Sequence, residues 1–298
     1  MSRMKIEDFH PEVLKLFDKY IHGLIDRRAF LEGAGKYAAA GTTAVGLLEA
    51  LSPNYAEAQI QVPENDSRVK GEMVEYDSPQ GHGKMKGYLV RPAGATGRLP
   101  GVVVVHENRG LNPHIRDVAR RTALANFVAF APDALTPLGG YPGTDEEGAA
   151  MQRKLETPKI MEDFVAATHW LRQHRETTGR VGIVGFCFGG SVANTVAVRV
   201  PELAAAVPFY GGQPRAEDVP KINAALLIHY AENDERINAG WPAYEAALKA
   251  NKKRYTVHFY PGTQHGFHND TTPRFNPEAA KLAWQRTIEF FNQQLRTT

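Results

Sequence analysis

The chain has 298 residues, 43% of them hydrophobic and 23% charged, and a formal net charge of +2. That length holds one large domain with an appendage or two small domains, and so small a charge points to no nucleic acid or anionic membrane as partner. A single cysteine excludes an intrachain disulfide and any zinc site built on cysteine pairs, and His258, His265 and His268 lack neighbouring ligands at metal-binding spacing, so no metal is expected.

Residues 1–58 differ in character from the rest. From Pro11 to Ile25 the spacing puts Leu14, Phe17, Ile21 and Leu24 on one helical face, and Asp26 stands where it would cap a second helix from Arg27. Arg27-Arg28, the small and apolar residues to Leu51, and Ala56-Glu57-Ala58 together have the layout of a twin-arginine export signal. Lys36 and Glu49 interrupt the apolar run, however, Glu32 stands where such signals prefer a basic residue, and the stretch before the arginines is long. Two readings stay open: an uncleaved helical arm on a cytoplasmic protein, or a signal for export to the periplasm or exterior. The run is too interrupted for a stable membrane span. An uncleaved arm must bury its apolar face on its own domain or on a second copy, which makes a homo-oligomer through these helices one expectation.

Residues 59–298 read as one domain. Glu72–Tyr76 and Met85–Val90 look like strands, and Gly101–Val105 is a continuous β-branched run suited to burial on both faces. Strand patterns at Phe127–Ala131, Val181–Val184, Ala204–Phe209, Ala225–His229 and Tyr255–Phe259 then alternate with helical ones, and Asn276–Leu295 closes the chain as an amphipathic helix. This alternation predicts an α/β fold, a mostly parallel sheet with helices on both faces. Leu135–Thr157, with its glycines and an acidic run, is a candidate cap over the active edge, or a solvated surface loop.

The chemistry centres on Gly185-Phe186-Cys187-Phe188-Gly189. It stands between a strand pattern and a helix pattern, which is the layout of a nucleophile elbow with sulfur in place of the hydroxyl. In α/β-hydrolases the acid and then the histidine follow the nucleophile, each after a strand. Asp234 and His265 supply that order, with Glu232 a rival acid and His268 a rival base. The oxyanion donors are expected to be the backbone N–H of Phe188 and one near Glu107 or Asn108, in the loop after the buried strand.

These stretches resemble the dienelactone hydrolase family of α/β-hydrolases, on His106-Glu107, Gly185–Gly190, the Asp234 loop and His265-Gly266-Phe267. The resemblance extends to bacterial members with a twin-arginine-like N-terminal extension, on Val103–Asn112 and Trp241–Asn251. It implies a Cys-His-Asp triad acting on small-molecule esters or lactones without a cofactor, and a part for Glu107 in activating the cysteine. The family's two substrate-carboxylate arginines have no counterpart, because Asn269 stands at the first position and Ala134–Pro137 offers none at the second. Arg109, Arg236 and Arg274 are candidates to replace them, with Tyr141 and Phe267 as further substrate contacts. The competing readings are a non-catalytic hydrolase-fold binding protein and a thiol redox enzyme, the latter opposed by the lack of a second cysteine.

Overall fold

The computed structural model describes residues 4–38, 42–54 and 60–296. At the N-terminus, α1 (Pro11–Ile21), α2 (Arg27–Ala34) and α3 (Ala44–Leu51) bury Val13, Phe17, Phe30, Ala34, Leu47 and Leu51 in a small core of their own. The Asp26 side chain caps α2 by accepting from the Ala29 N–H at 2.8 Å, as its position predicts. Helix α1 ends four residues short of the expected Ile25. Gly23 takes a left-handed conformation (φ +73°), and the Leu24 N–H reaches back to the Lys19 carbonyl at 2.9 Å, the bond of a Schellman turn. Leu24 is thereby turned out to solvent, 64% exposed, instead of joining the apolar face.

Of the expected apolar face, Phe17 is buried within the same chain and Leu14 and Ile21 pack partly buried against that small core. Ala56-Glu57-Ala58 lies outside the described residues. Among the described residues no helix is long and apolar enough to cross a membrane.

The rest of the chain builds one eight-stranded sheet. Its strands are β1 (Val69–Ser78), β2 (Gly83–Pro92), β3 (Leu99–Val105), β4 (Val128–Pro132), β5 (Thr177–Phe186), β6 (Ala205–Phe209), β7 (Ala225–Asn233) and β8 (Tyr255–Gln264). They run in the order β1-β2-β4-β3-β5-β6-β7-β8. The β1–β2 and β2–β4 pairs are antiparallel and every later pair is parallel. Between them run α4 (Pro113–Leu124), α5 (Asp145–Gln152), α6 (Thr157–Gln173), α7 (Phe188–Arg199), the single turn α8 (Glu235–Asn238), α9 (Trp241–Ala250) and α10 (Pro277–Leu295).

The β3 valines explain the layering. Val103 and Val105 enter the core under α6, α7 and α9, while Val102 and Val104 enter the opposite core under α4 and α10. A strand wanted apolar on both faces has to read as a continuous run. Because β3, β5, β7 and β8 run parallel, their carboxyl ends face one edge, and the loops after them converge there.

Candidate active site

Cys187 occupies the turn between β5 and α7 with φ +56° and ψ −112°, a conformation non-glycine residues rarely hold. Its N–H donates to the Phe209 carbonyl at 3.1 Å, and its own carbonyl accepts from Gly190 at 3.0 Å. The flanking glycines are demanded by close approach. A Cβ on Gly185 would sit 1.9 Å from the Gly189 carbonyl oxygen, and one on Gly189 would sit 2.5 Å from that of Val105. Phe188 opens α7, so its amide is among the first-turn N–H groups that have no acceptor within the helix.

Directly after β7, Asp234 accepts from His265 Nδ1 at 2.6 Å, both groups being buried. The rival acid Glu232 instead accepts from the exposed Gly262 N–H at 2.8 Å. His268, the rival base, stacks on Phe186 with ring centroids 4.8 Å apart, and burial holds its pKa well below the usual histidine range. Bound at Nδ1, His265 turns Nε2 to the sulfur side.

A second imidazole arrives from the N-terminal segment, which nothing in the sequence announced. His22, the residue capping the C-terminus of α1, places Nε2 3.3 Å from Cys187 Sγ. Its Nδ1 donates to the Asp18 carbonyl at 2.7 Å and lies 3.3 Å from the Asp18 carboxylate. The two rings meet edge to face with centroids 4.9 Å apart. Asn108 Nδ2 donates to the Ile21 carbonyl at 2.6 Å, and Arg236 donates to Asp18 Oδ2 at 3.1 Å, so the end of α1 is tied to the loops around the sulfur.

The charges follow from this geometry. Burial by itself would raise the Cys187 thiol, but the His265 and His22 imidazoles outweigh it and hold the pKa down to about 6. His265 moves the other way: burial opposes its charge, yet the Asp234 carboxylate and the sulfur raise it to about 10. His22 is raised against burial by the sulfur and Asp18, and Asp18 is pushed below the usual carboxylate range, chiefly by the His22 bond working against burial. At neutral pH the favoured state is a thiolate facing protonated imidazole. Donor atoms of His22, Cys187 and His265 lie within 4.8 Å of one another, close enough for a soft cation. The Arg236 guanidinium, 3.0 Å from His22 Nε2, opposes that, and we assign no metal.

Comparison with known proteins places the chain in a family. The profile of the Dienelactone hydrolase family matches residues 85–295, well over half of the chain. The chain belongs to the dienelactone hydrolase family. A separate YqhI-like profile matches residues 1–39. A provisionally named hydrolase fragment, YghX of Escherichia coli (strain K12), is 53% identical over 114 residues, 38% of this chain and 97% of its own length. A Bradyrhizobium sp. protein named as a probable 2-oxo-3-(5-oxofuran-2-ylidene)propanoate lactonase is 32% identical over 70% of this chain and 89% of its own. The crystal structure of a provisional dienelactone hydrolase from Klebsiella pneumoniae subsp. pneumoniae MGH 78578 superposes with a TM-score of 0.65 at 29% identity. It covers 75% of this chain and 99% of its own.

Against that family, the remaining expected residues divide. The cleft holding Cys187, about 330 Å³, is lined also by His22, Asn108, Tyr210, Arg236 and His265, with Ala149 and Gln152 of α5 closing one side. Part of the Leu135–Thr157 segment therefore does border the cleft. Arg109 and Tyr141 are not brought to this cleft: both bond to the buried Asp145, at 2.9 and 2.8 Å. Phe267, expected against substrate, is completely buried between Tyr210 and Tyr260 in the core beneath.

Asn269, where the resemblance implied an arginine, donates to the buried Glu107 carboxylate at 2.8 Å. Arg274 is buried too, its guanidinium 5.3 Å from the Phe17 ring of α1. His106 donates from Nδ1 to the Glu107 carbonyl and accepts the Ala134 N–H at Nε2, which fixes the orientation of the peptide between Glu107 and Asn108.

Proposed function

We propose that the chain hydrolyses small carboxylic esters or lactones through a thioester on Cys187, with His265 as proton carrier and Asp234 as the carboxylate orienting it. One observation carries this reading: the 2.6 Å Asp234–His265 bond stands behind a cysteine held at positive φ, with donor atoms of His265 and Cys187 within 4.8 Å. The thiolate attacks the acyl carbon, and the carbonyl oxygen becomes an oxyanion. The Phe188 N–H is one donor for it. The Asn108 N–H is the other, since a trans peptide whose carbonyl faces His106 directs its N–H the opposite way. As the intermediate collapses, the His265 imidazolium protonates the departing alkoxide. Neutral His265 then takes a proton from water, hydroxide adds to the thioester carbonyl, and the thiolate leaves with the acid as product.

Glu107, which the family resemblance linked to activating the thiol, is committed to Asn269, and the groups that move the sulfur's pKa are the imidazoles. The bond to Asn269 also ties the Glu107 loop, which carries the oxyanion donor, to the loop after His265. With Asn269 so engaged, a substrate carboxylate would be met by Arg236 or Arg153, which line the cleft. Short esters and lactones without a carboxylate fit that lining as well as those with one.

Cys187→Ala assayed on p-nitrophenyl acetate, p-nitrophenyl butyrate and small lactones is expected to lose at least roughly 10³-fold in kcat/KM with unchanged circular dichroism, because the sulfur that forms the thioester is gone. Turnover retained within tenfold would overturn the assignment. Wild-type protein that turns over no ester or lactone, yet binds one tightly, would favour a binding role.

A further inference from the structure

We infer that the N-terminal helical segment is a working part of the active site, and that His22 is a second catalytic imidazole acting on the Cys187 sulfur. The inference rests on Cys187 being the nucleophile and goes beyond it. Three independent observations carry it.

The first is contact. Nε2 stands 3.3 Å from Sγ while Nδ1 is committed to the Asp18 carbonyl, so the second proton of a charged ring lies on the nitrogen that faces the sulfur. The second is orientation. An aspartate backs the imidazole on each side of the sulfur, but through different groups: the Asp234 carboxylate accepts from His265 Nδ1, whereas His22 Nδ1 donates to the Asp18 backbone carbonyl with the Asp18 carboxylate 3.3 Å away. The carbonyl fixes the His22 tautomer and the nearby carboxylate favours its charged form. The third is anchoring. The end of α1 is fixed by Asn108 on Ile21 and by Arg236 on Asp18, and Arg274 lies over Phe17. A helix end merely resting on a surface has no need of polar ties to two residues that line the cleft.

The chemistry is that of a hydrogen-bond donor. With a proton drawn from solvent, His22 Nε2–H donates to the thiolate before attack and again as sulfur is expelled from the second tetrahedral intermediate. It transfers no proton in the cycle, so His265 alone exchanges protons with leaving group and water. Arg236 Nη2 competes for the same nitrogen at 3.0 Å, but the protonated ring gives its hydrogen to sulfur and leaves Arg236 to Asp18. The charged and titratable groups around the sulfur are His22 and Asp18 from α1, His265 after β8, Asp234 and Arg236 at α8, Arg153 after α5, Glu107 after β3, Tyr210 after β6 and Arg274 before α10. A segment read only as an export leader would take this imidazole away on cleavage.

The test uses the chain's only cysteine as its own reporter. The rate of iodoacetamide alkylation is followed against pH in the full-length protein and in His22→Ala, His22→Gln and Asp18→Asn. His22→Ala is expected to raise the alkylation midpoint by about one pH unit, slowing alkylation roughly fivefold at pH 6 and approaching about tenfold at lower pH. His22→Gln, which keeps a donor without the charge, should recover part of the shift, and Asp18→Asn should move it less in the same direction. Folded His22→Ala and His22→Gln proteins that keep the wild-type midpoint, whatever their melting temperature, would overturn the inference. If His22→Ala does not fold, the Gln and Asn variants decide it by the same criterion. Alkylation needs no substrate, so a failure of the ester-hydrolase reading shows in the turnover assay and leaves this result to be read separately.

Discussion

His265 and His22 meet the same sulfur from regions built in different ways. His265 follows a sheet strand, beside Asp234 after the neighbouring one, and their relation is set by the parallel register of β7 and β8. His22 ends a helix whose segment has its own core of Val13, Phe17, Phe30, Leu47 and Leu51, and which reaches the sheet domain through a small number of polar ties. The first region builds the site by topology and the second by docking. Residues placed by topology should be all-or-none in their effect, and residues placed by docking graded.

Four measurements press on that contrast. Asp234→Asn should cost the most after loss of the nucleophile, roughly 10³- to 10⁴-fold in kcat, because His265 loses the partner that fixes its tautomer. A loss under tenfold would mean the strand-borne carboxylate is no more essential than the docked one. Next comes the pH profile of kcat/KM. Activity should rise as the Cys187 thiol ionises near pH 6 and fall as His265 deprotonates near pH 10.

The stability signs agree with those limbs. The Cys187 contribution, from a depressed pKa, is complete only above the thiol's unfolded value and is lost as pH falls through about 6. The His265 contribution, from a raised pKa, is complete below its unfolded value and is lost as pH rises through about 10. The midpoint shift in His22→Ala ranks third. The smallest effect on chemistry is expected from Phe17→Ala, which removes about 3–5 kcal/mol of packing from the arm. Its turnover should fall only as far as that of His22→Ala, with hydrogen exchange of β3 to β8 unchanged. Equal loss of protection in the sheet would show that the two regions are not separable.

The same contrast decides what could be read from the sequence. Val102–Val105 announced a strand buried on both faces, and the glycines around Cys187 announced a turn with no room for side chains. Asp234 and His265 stood out because a parallel sheet makes chain order predict place. Phe267 misled: the turn closed by its N–H on the Gln264 carbonyl at 3.1 Å sends its ring down into the core. Leu24 misled for a related reason, since Gly23, a recognisable helix stop, came one residue before it. His22 carries no local signal at all. Its neighbours are those of any helix end, and what makes it matter is an element 165 residues away.

That separation has a consequence for when the protein becomes reactive. A contact between positions so far apart closes one of the longest loops in the chain, and contacts of that kind form after local ones during folding. Residues 18–22 leave the ribosome long before Cys187, Asp234 and His265 exist, and must find them once the sheet is built. If His22 acts on the thiol, its docking at the end of assembly is expected to raise the sulfur's reactivity last. Alkylation rate during refolding would then serve as a clock for completion of the whole molecule, not of its sheet alone.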